Sequence, residues 1–471
     1  MIARKWRFGI SALVASVALG ACSNGPGANS SPPIGAADHH KSGSTPIQHI
    51  VLMIQENRSF NNIFATFPGA TGTTTGEELV KVGNSYQQKK IQLTEVPLED
   101  KHSLTHLYRA YSTAYDDGAM DAFNLIKAVV SGKAEGKAPY QYVNPSDVQP
   151  YWTIGQDYAL ADEMFQTQGS GSFTAHQDLI RGGTKIKQTE SIIDDPSNGS
   201  AWGCDSPTGT KTSLFTTARK FLKDKGPFPC TTDFPKAGAN YHTLSDLLDA
   251  KGVSWKYYTP EYQQGTTSAL WNAFDVIAAV RYGSEWGTNV SWPETNIFSD
   301  ISNGTLPAMS WVIPDAVNSD HPGYESDTGP SWVASVVNAV GQSSYWNSTA
   351  VVIVWDDWGG LYDPVAPPLI DKLGGLGFRV GMLVASPYTP QSSSCAGRGA
   401  VHTQYEFGSI VKFIEETFNL GSLGTTDQRA TSIANLFNFN QSPCPFQSIP
   451  SKRSRAFFLH QKPSGLPVDT E

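Results

Sequence analysis

Charge is scarce in this chain. Asp, Glu, Lys and Arg make up only 16% of its 471 residues, and the formal balance is acidic, at −9. Losing Arg4, Lys5 and Arg7 with the leader described below makes the remainder more acidic still. A surface of that sign repels a phosphate backbone, which argues against nucleic acid as a partner. Scarce charge is not a sign of disorder here, because 39% of residues are hydrophobic and 11% aromatic, enough apolar surface for a large core. Several catalytic signatures are also missing. There is no His-Glu-x-x-His and no Gly-x-Ser-x-Gly, and residues 132–138 fail the P-loop pattern because Ala138 follows Gly136-Lys137. These absences weigh against zinc-protease, metal-free serine hydrolase and P-loop chemistry. No internal repeat is evident.

Cysteine is sparse as well, with five in all. The first, Cys22, follows a basic start, an apolar stretch at 8–20 too short to span a bilayer, and the small residues Gly20-Ala21. Leu19-Gly20-Ala21-Cys22 resembles a bacterial lipobox, which predicts a signal peptide at 1–21 and a lipid-anchored mature chain beginning at Cys22. The chain is expected to be exported and anchored at the cell envelope, on the periplasmic or outer-membrane face, with secretion as the alternative. That leaves Cys204, Cys230, Cys395 and Cys444, an even number in an oxidising compartment. Two disulfides follow; of the three pairings, the sequence-local one, Cys204–Cys230 with Cys395–Cys444, is preferred. Residues 22–46 are rich in Gly, Pro and Ser and read as a flexible tether. The folded domain is expected at 47–450, with a tail at 451–471.

Apolar runs at 49–55, 253–258, 307–313, 350–355 and 379–386 predict buried parallel strands. Between them lie helical patterns. One opens with Thr243-x-x-Asp246 and stops at Gly252, and another carries Phe407, Ile410, Val411, Ile414 and Phe418 on one face. Alternating strands and helices imply an α/β fold with a mostly parallel central sheet and helices on both faces. The Gly-, Ser- and Thr-rich stretch at 185–240 reads as a disulfide-stapled insertion.

Open parallel sheets bind ligands at their carboxyl edge. The run at 49–55 ends in Glu56-Asn57-Arg58, and the run at 350–355 ends in Asp356-Asp357-Trp358-Gly359-Gly360. Either strand end alone reads better as an ordinary loop start or helix cap. Together Glu56, Asn57, Asp356 and Asp357 offer the oxygen ligands that a hard divalent cation takes. His106, His321 and His402 lie in loops and could serve phosphoester chemistry as donors to phosphoryl oxygens or to a leaving group. Ser172, in Gly169-Ser170-Gly171-Ser172-Phe173-Thr174-Ala175-His176, is a candidate nucleophile, although by spacing alone this is an ordinary Gly/Ser turn.

These blocks in this order resemble a known group. Glu56-Asn57-Arg58-Ser59-Phe60, Asp117-Gly118-Ala119-Met120-Asp121, Ser319-Asp320-His321-Pro322, Trp355-Asp356-Asp357-Trp358-Gly359-Gly360 and Gly377-Phe378-Arg379-Val380 are similar to motifs of the bacterial phosphoesterase family. That family contains non-haemolytic phospholipases C and metal-dependent acid phosphatases and belongs to the alkaline phosphatase-like superfamily. The resemblance implies that Glu56, Asn57, Asp356 and Asp357 hold a divalent metal ion, zinc or calcium, and that Ser172 is the nucleophile of a two-step, phospho-enzyme hydrolysis. His106, His321 and His402 would then stabilise the phosphoryl group or protonate the leaving alcohol. Three departures stand out: Asn61 where the family has Asp, Ser170-Gly171 where it has Gly-Pro, and Pro364 where it has His. The expected substrate is a phospholipid, with a small phosphate monoester as the alternative; the competing class is a non-catalytic surface lipoprotein that binds a phosphorylated ligand.

Overall fold

The computed structural model describes residues 45–197, 201–230, 241–391 and 394–466. The predicted leader, Cys22 and nearly all of the tether lie outside the described residues. The sheet is built from β1 (His49–Gln55), β2 (Ala159–Phe165), β3 (Trp255–Tyr258), β4 (Val290–Ser291), β5 (Met309–Val312), β6 (Thr349–Trp355), β7 (Arg379–Ala385), β8 (Gly399–Val401) and β9 (Tyr405–Glu406). These nine strands run in the order β4-β3-β5-β1-β6-β7-β2-β8, with β9 also paired to β2. All five apolar runs are strands.

One expectation is corrected. The run at 379–386 was expected to be parallel, but β7 is antiparallel to both neighbours, β6 and β2, whereas the other pairings are parallel. The reason lies in the connection: residues 356–378 contain no helix, so the chain turns back beside β6 without the crossover that a parallel strand requires. β2 lies outside the five apolar runs, with Asp162 and Glu163 interrupting its apolar residues. The buried Asp162 is accommodated by hydrogen bonds from Thr71 N at 2.8 Å and Thr71 Oγ1 at 3.0 Å.

Helices flank both faces: α1 (Gln149–Asp157), α2 (Ser172–Arg181), α3 (Leu244–Lys251), α4 (Gly329–Gly341) and α5 (Phe407–Phe418). Trp311 is level with Leu52 and Val352 across three strands, and Trp355, three positions beyond Val352, must point to the opposite face. Trp311 Nε1 donates to the Leu179 carbonyl of α2 at 3.3 Å, while Trp355 meets Tyr151 of α1 edge-on at 4.8 Å between centroids. α3 begins with the expected capping box between Thr243 and Asp246. After β2 and α2, the strands Lys185–Lys187, Glu190–Ile193, Ser213–Thr216 and Phe221–Leu222 form a separate four-stranded antiparallel sheet. Cys204 pairs with Cys230 and Cys395 with Cys444, the sequence-local arrangement. Beyond residue 450 a short helix, Arg455–His460, buries Phe458 against Trp332.

Candidate active site

Gln55 and Trp355 are level at the ends of the parallel neighbours β1 and β6, so the next residues of both chains emerge together. Asn57 takes a left-handed backbone, φ +53°, and its N–H donates to Asp356 Oδ1 at 3.0 Å. The two turns touch so closely that a Cβ on Gly359 would lie 2.0 Å from the Asn57 carbonyl oxygen, so only glycine fits there. The third contributor is α2. Its first residue, Ser172, donates from Oγ to Asp357 Oδ2 at 3.0 Å and accepts from Asn57 Nδ2 at 3.2 Å.

One helical turn further along α2, His176 places Nε2 2.8 Å from Glu56 Oε1 and 3.9 Å from Asp356 Oδ2. Glu56, His176 and Asp356 are all buried, and their ligand atoms lie within 4.8 Å of one another. His176 was not among the expected site residues. The signal was present: a residue four positions after Ser172 on a helix shares its face.

Burial and the neighbouring Glu56 charge push the Asp356 carboxyl up to about 8. Burial, reinforced by Asp356, holds Asp357 well above the usual carboxylate range, and burial lowers His176 to about 4. Asp356 Oδ2 is buried without a hydrogen-bond partner. Converging carboxylates in a water-poor site, one with an uncommitted oxygen and an imidazole beside it, are the donor set that a divalent cation satisfies.

The expected histidines separate. His106 Nδ1 donates to the Leu104 carbonyl at 2.8 Å, so Nε2 accepts from Asn57 Nδ2 at 2.7 Å; the same nitrogen is 3.4 Å from Asp357 Oδ2. The His321 ring lies 6.3 Å from that of His106 and stacks on Trp271 at 5.9 Å. His402 is instead held by Asp162 Oδ2 at 2.8 Å, half-exposed, after β8 and three strands from β6. At about 4.8 Å per strand, that is about 14 Å along the sheet. Ser170 Oγ accepts from the Asp194 N–H at 2.7 Å, which leaves Ser172 as the hydroxyl facing the acids.

The departures lie beside the cluster, not in it. Asn61 braces a loop through both sides of its amide, accepting from Thr73 N at 2.8 Å and donating to Thr73 O at 3.0 Å. Pro364 follows Asp363, a buried carboxylate clamped by Arg379 Nε at 2.9 Å and Nη2 at 3.1 Å.

A mostly parallel sheet whose strand ends gather buried acids, an imidazole and a hydroxyl at a helix N-terminus is the architecture of a phosphate-ester hydrolase. A match over residues 47–421 identifies the chain as a member of the Phosphoesterase family, whose enzymes hydrolyse phosphoester bonds. It is similar to phospholipase C B of Mycobacterium tuberculosis, 24% identical over 455 residues, covering 85% of this chain and 79% of that protein. It is also similar to non-specific phospholipase C6 of Arabidopsis thaliana, 30% identical, covering 80% of this chain and 69% of that protein. Among solved structures, a protein of the alkaline phosphatase superfamily from Vibrio parahaemolyticus covers 82% of this chain and 71% of that one, at 9% identity and a TM-score of 0.33, a likeness too low to carry an argument.

Proposed function

We propose that the protein is a phospholipase C that works through a phosphoserine on Ser172 and is held at the cell envelope by a lipid on Cys22. The observation that carries this reading is the Ser172 hydroxyl, 3.0 Å from Asp357 Oδ2 and 3.2 Å from Asn57 Nδ2, on the same strand ends and helix that carry the buried cluster of Glu56, Asp356 and His176. A divalent cation held by Glu56, Asn57, Asp356 and Asp357, with His176 added, would supply positive charge for the ionised hydroxyl and for the phosphoryl oxygens.

As Ser172 Oγ bonds to phosphorus, its proton passes to Asp357, already its hydrogen-bond acceptor. The bond from phosphorus to the alcohol oxygen breaks on the opposite side, and that oxygen takes a proton from His321. His321 Nδ1 is turned to the Pro322 carbonyl at 2.6 Å, which assigns the transfer to Nε2. Asn57 and His106 hold the hydroxyl and the phosphoryl group in line, and the N-terminus of α2 favours the negative charge. Water then attacks the phosphoserine and loses its proton to solvent, the bond from phosphorus to Ser172 Oγ breaks as Asp357 returns its proton to the serine, and His321 is reprotonated from solvent.

Relatives that carry the name phospholipase C favour a phospholipid over a monoester. The intact set of acids favours turnover over mere binding, despite Pro364 and Asn61. The test uses the full chain with phosphatidylcholine vesicles and, separately, nitrophenyl phosphate, each before and after chelation and metal restoration. Chelator-sensitive release of phosphorylcholine supports the proposal. Turnover of the monoester alone would make it an acid phosphatase, and phosphate binding without turnover of either would make it a non-catalytic lipoprotein.

A further inference from the structure

His321 serves a leaving group only if its loop holds one conformation, and the residue before it carries that constraint. Asp320 has φ +73°, a backbone state that a non-glycine residue keeps only when its surroundings impose it. Its buried carboxylate is gripped on one oxygen by three donors: Tyr151 Oη at 2.7 Å, Trp355 Nε1 at 3.2 Å and Gln55 Nε2 at 3.4 Å. Its carbonyl accepts from Arg58 Nε at 2.7 Å. The other carboxylate oxygen lies against the first residue of α4, where a Cβ on Gly329 would fall 1.9 Å from Oδ1. The charge therefore faces the positive end of a 13-residue helix.

Gln55 and Trp355 are the last residues of β1 and β6, each one position before a candidate metal ligand. The same strand ends that aim Glu56 and Asp356 into the site thus grip Asp320 from the other face of the sheet. A carboxylate is costly to desolvate, and a hydrophobic residue would fill the space more cheaply if packing were the only need.

We propose that Asp320 is a positioning residue whose buried carboxylate fixes the left-handed turn that presents His321 to the leaving-group oxygen. This rests on the reading of His321 as proton donor. A donor matters for an alkoxide, which leaves poorly, and hardly at all for nitrophenolate, which leaves unaided. Misplacing His321 must therefore harm one ester and spare the other, whereas general loosening of the fold harms both.

The experiment compares alkyl and nitrophenyl esters of phosphorylcholine with the metal-loaded full chain. His321→Ala should slow the alkyl ester roughly 100-fold and the nitrophenyl ester less than about threefold. Asp320→Asn keeps shape and tolerance of positive φ but presents an amide to three donors. It should show the same selectivity at about tenfold, in kcat and not KM, with metal content unchanged. Tyr151→Phe removes one of the three bonds and should give a smaller selective loss; it decides the case if Asp320→Asn does not fold. A selective His321→Ala beside an Asp320→Asn that harms both esters equally, or neither, overturns the proposal alone. An unselective His321→Ala overturns the donor reading and the proposal with it.

Discussion

Ser170 and Ser172 are two residues apart and face different partners. Ser172 Oγ points at Asp357, while Ser170 Oγ accepts a backbone N–H in the protein interior. Ser172→Ala should therefore bind metal normally and lose about three orders of magnitude or more in turnover, measured with metal content on the same sample. Ser170→Ala should keep its turnover per folded molecule but leave the Asp194 N–H unsatisfied, at a cost of about 1–2 kcal/mol in denaturant unfolding. Full activity in Ser172→Ala would sink the nucleophile assignment. At this scale the sequence was legible where chemistry concentrates, at carboxylates ending apolar strands. It was not legible at His176, since a lone histidine in a Gly/Ser-rich stretch has no partner until α2 forms. The identity of His402 likewise says nothing about distance: β8 carries it to the far side of β2, onto Asp162.

Elements read from periodicity came out with their positions right and their neighbours undetermined. β1, β6 and β7 are where apolar runs place them, but direction depends on the connection, and β2 hides behind a buried Asp. A buried acid between two elements also has a measurable consequence in Glu294, which lies between β4 and the helix Asn296–Asn303 and is only 7% exposed. Burial, with Asp315 nearby, raises its carboxyl from 4.5 to about 8. Between those values the folded chain holds on Glu294 a proton that the unfolded chain has already released, so the contribution of this group to stability is greatest at low pH and falls as pH rises from about 4.5 towards 8. Each tenfold change in proton affinity is worth about 1.4 kcal/mol. Glu294→Gln should flatten the decline of Tm between pH 5 and pH 8 in thermal melts; an unchanged slope would mean the carboxyl is not held protonated.

For the whole molecule, two staples close loops with separations of 26 and 49 residues. Cys204, Cys230, Cys395 and Cys444 should resist alkylation until reduction, and reduction should destabilise the fold by about 3–4 kcal/mol per bridge. A free thiol in native protein, found by mass spectrometry, would contradict the pairing. The anchor is tested separately: Cys22→Ser should move the protein from membrane pellets to the soluble fraction. What the sequence by itself determined is local: which runs are buried, which acids end them, how many cysteines must pair, and through its motifs the family. Those properties depend on side-chain identity and spacing along a few residues. Only the tertiary structure decided that β7 runs backwards, that His176 joins Glu56 and Asp356, that Ser172 and not Ser170 faces Asp357, and that Asp320 is gripped by both strands that end in the site. Each depends on contacts between segments far apart in the chain, set by how the sheet and its helices pack, and no local pattern encodes that packing.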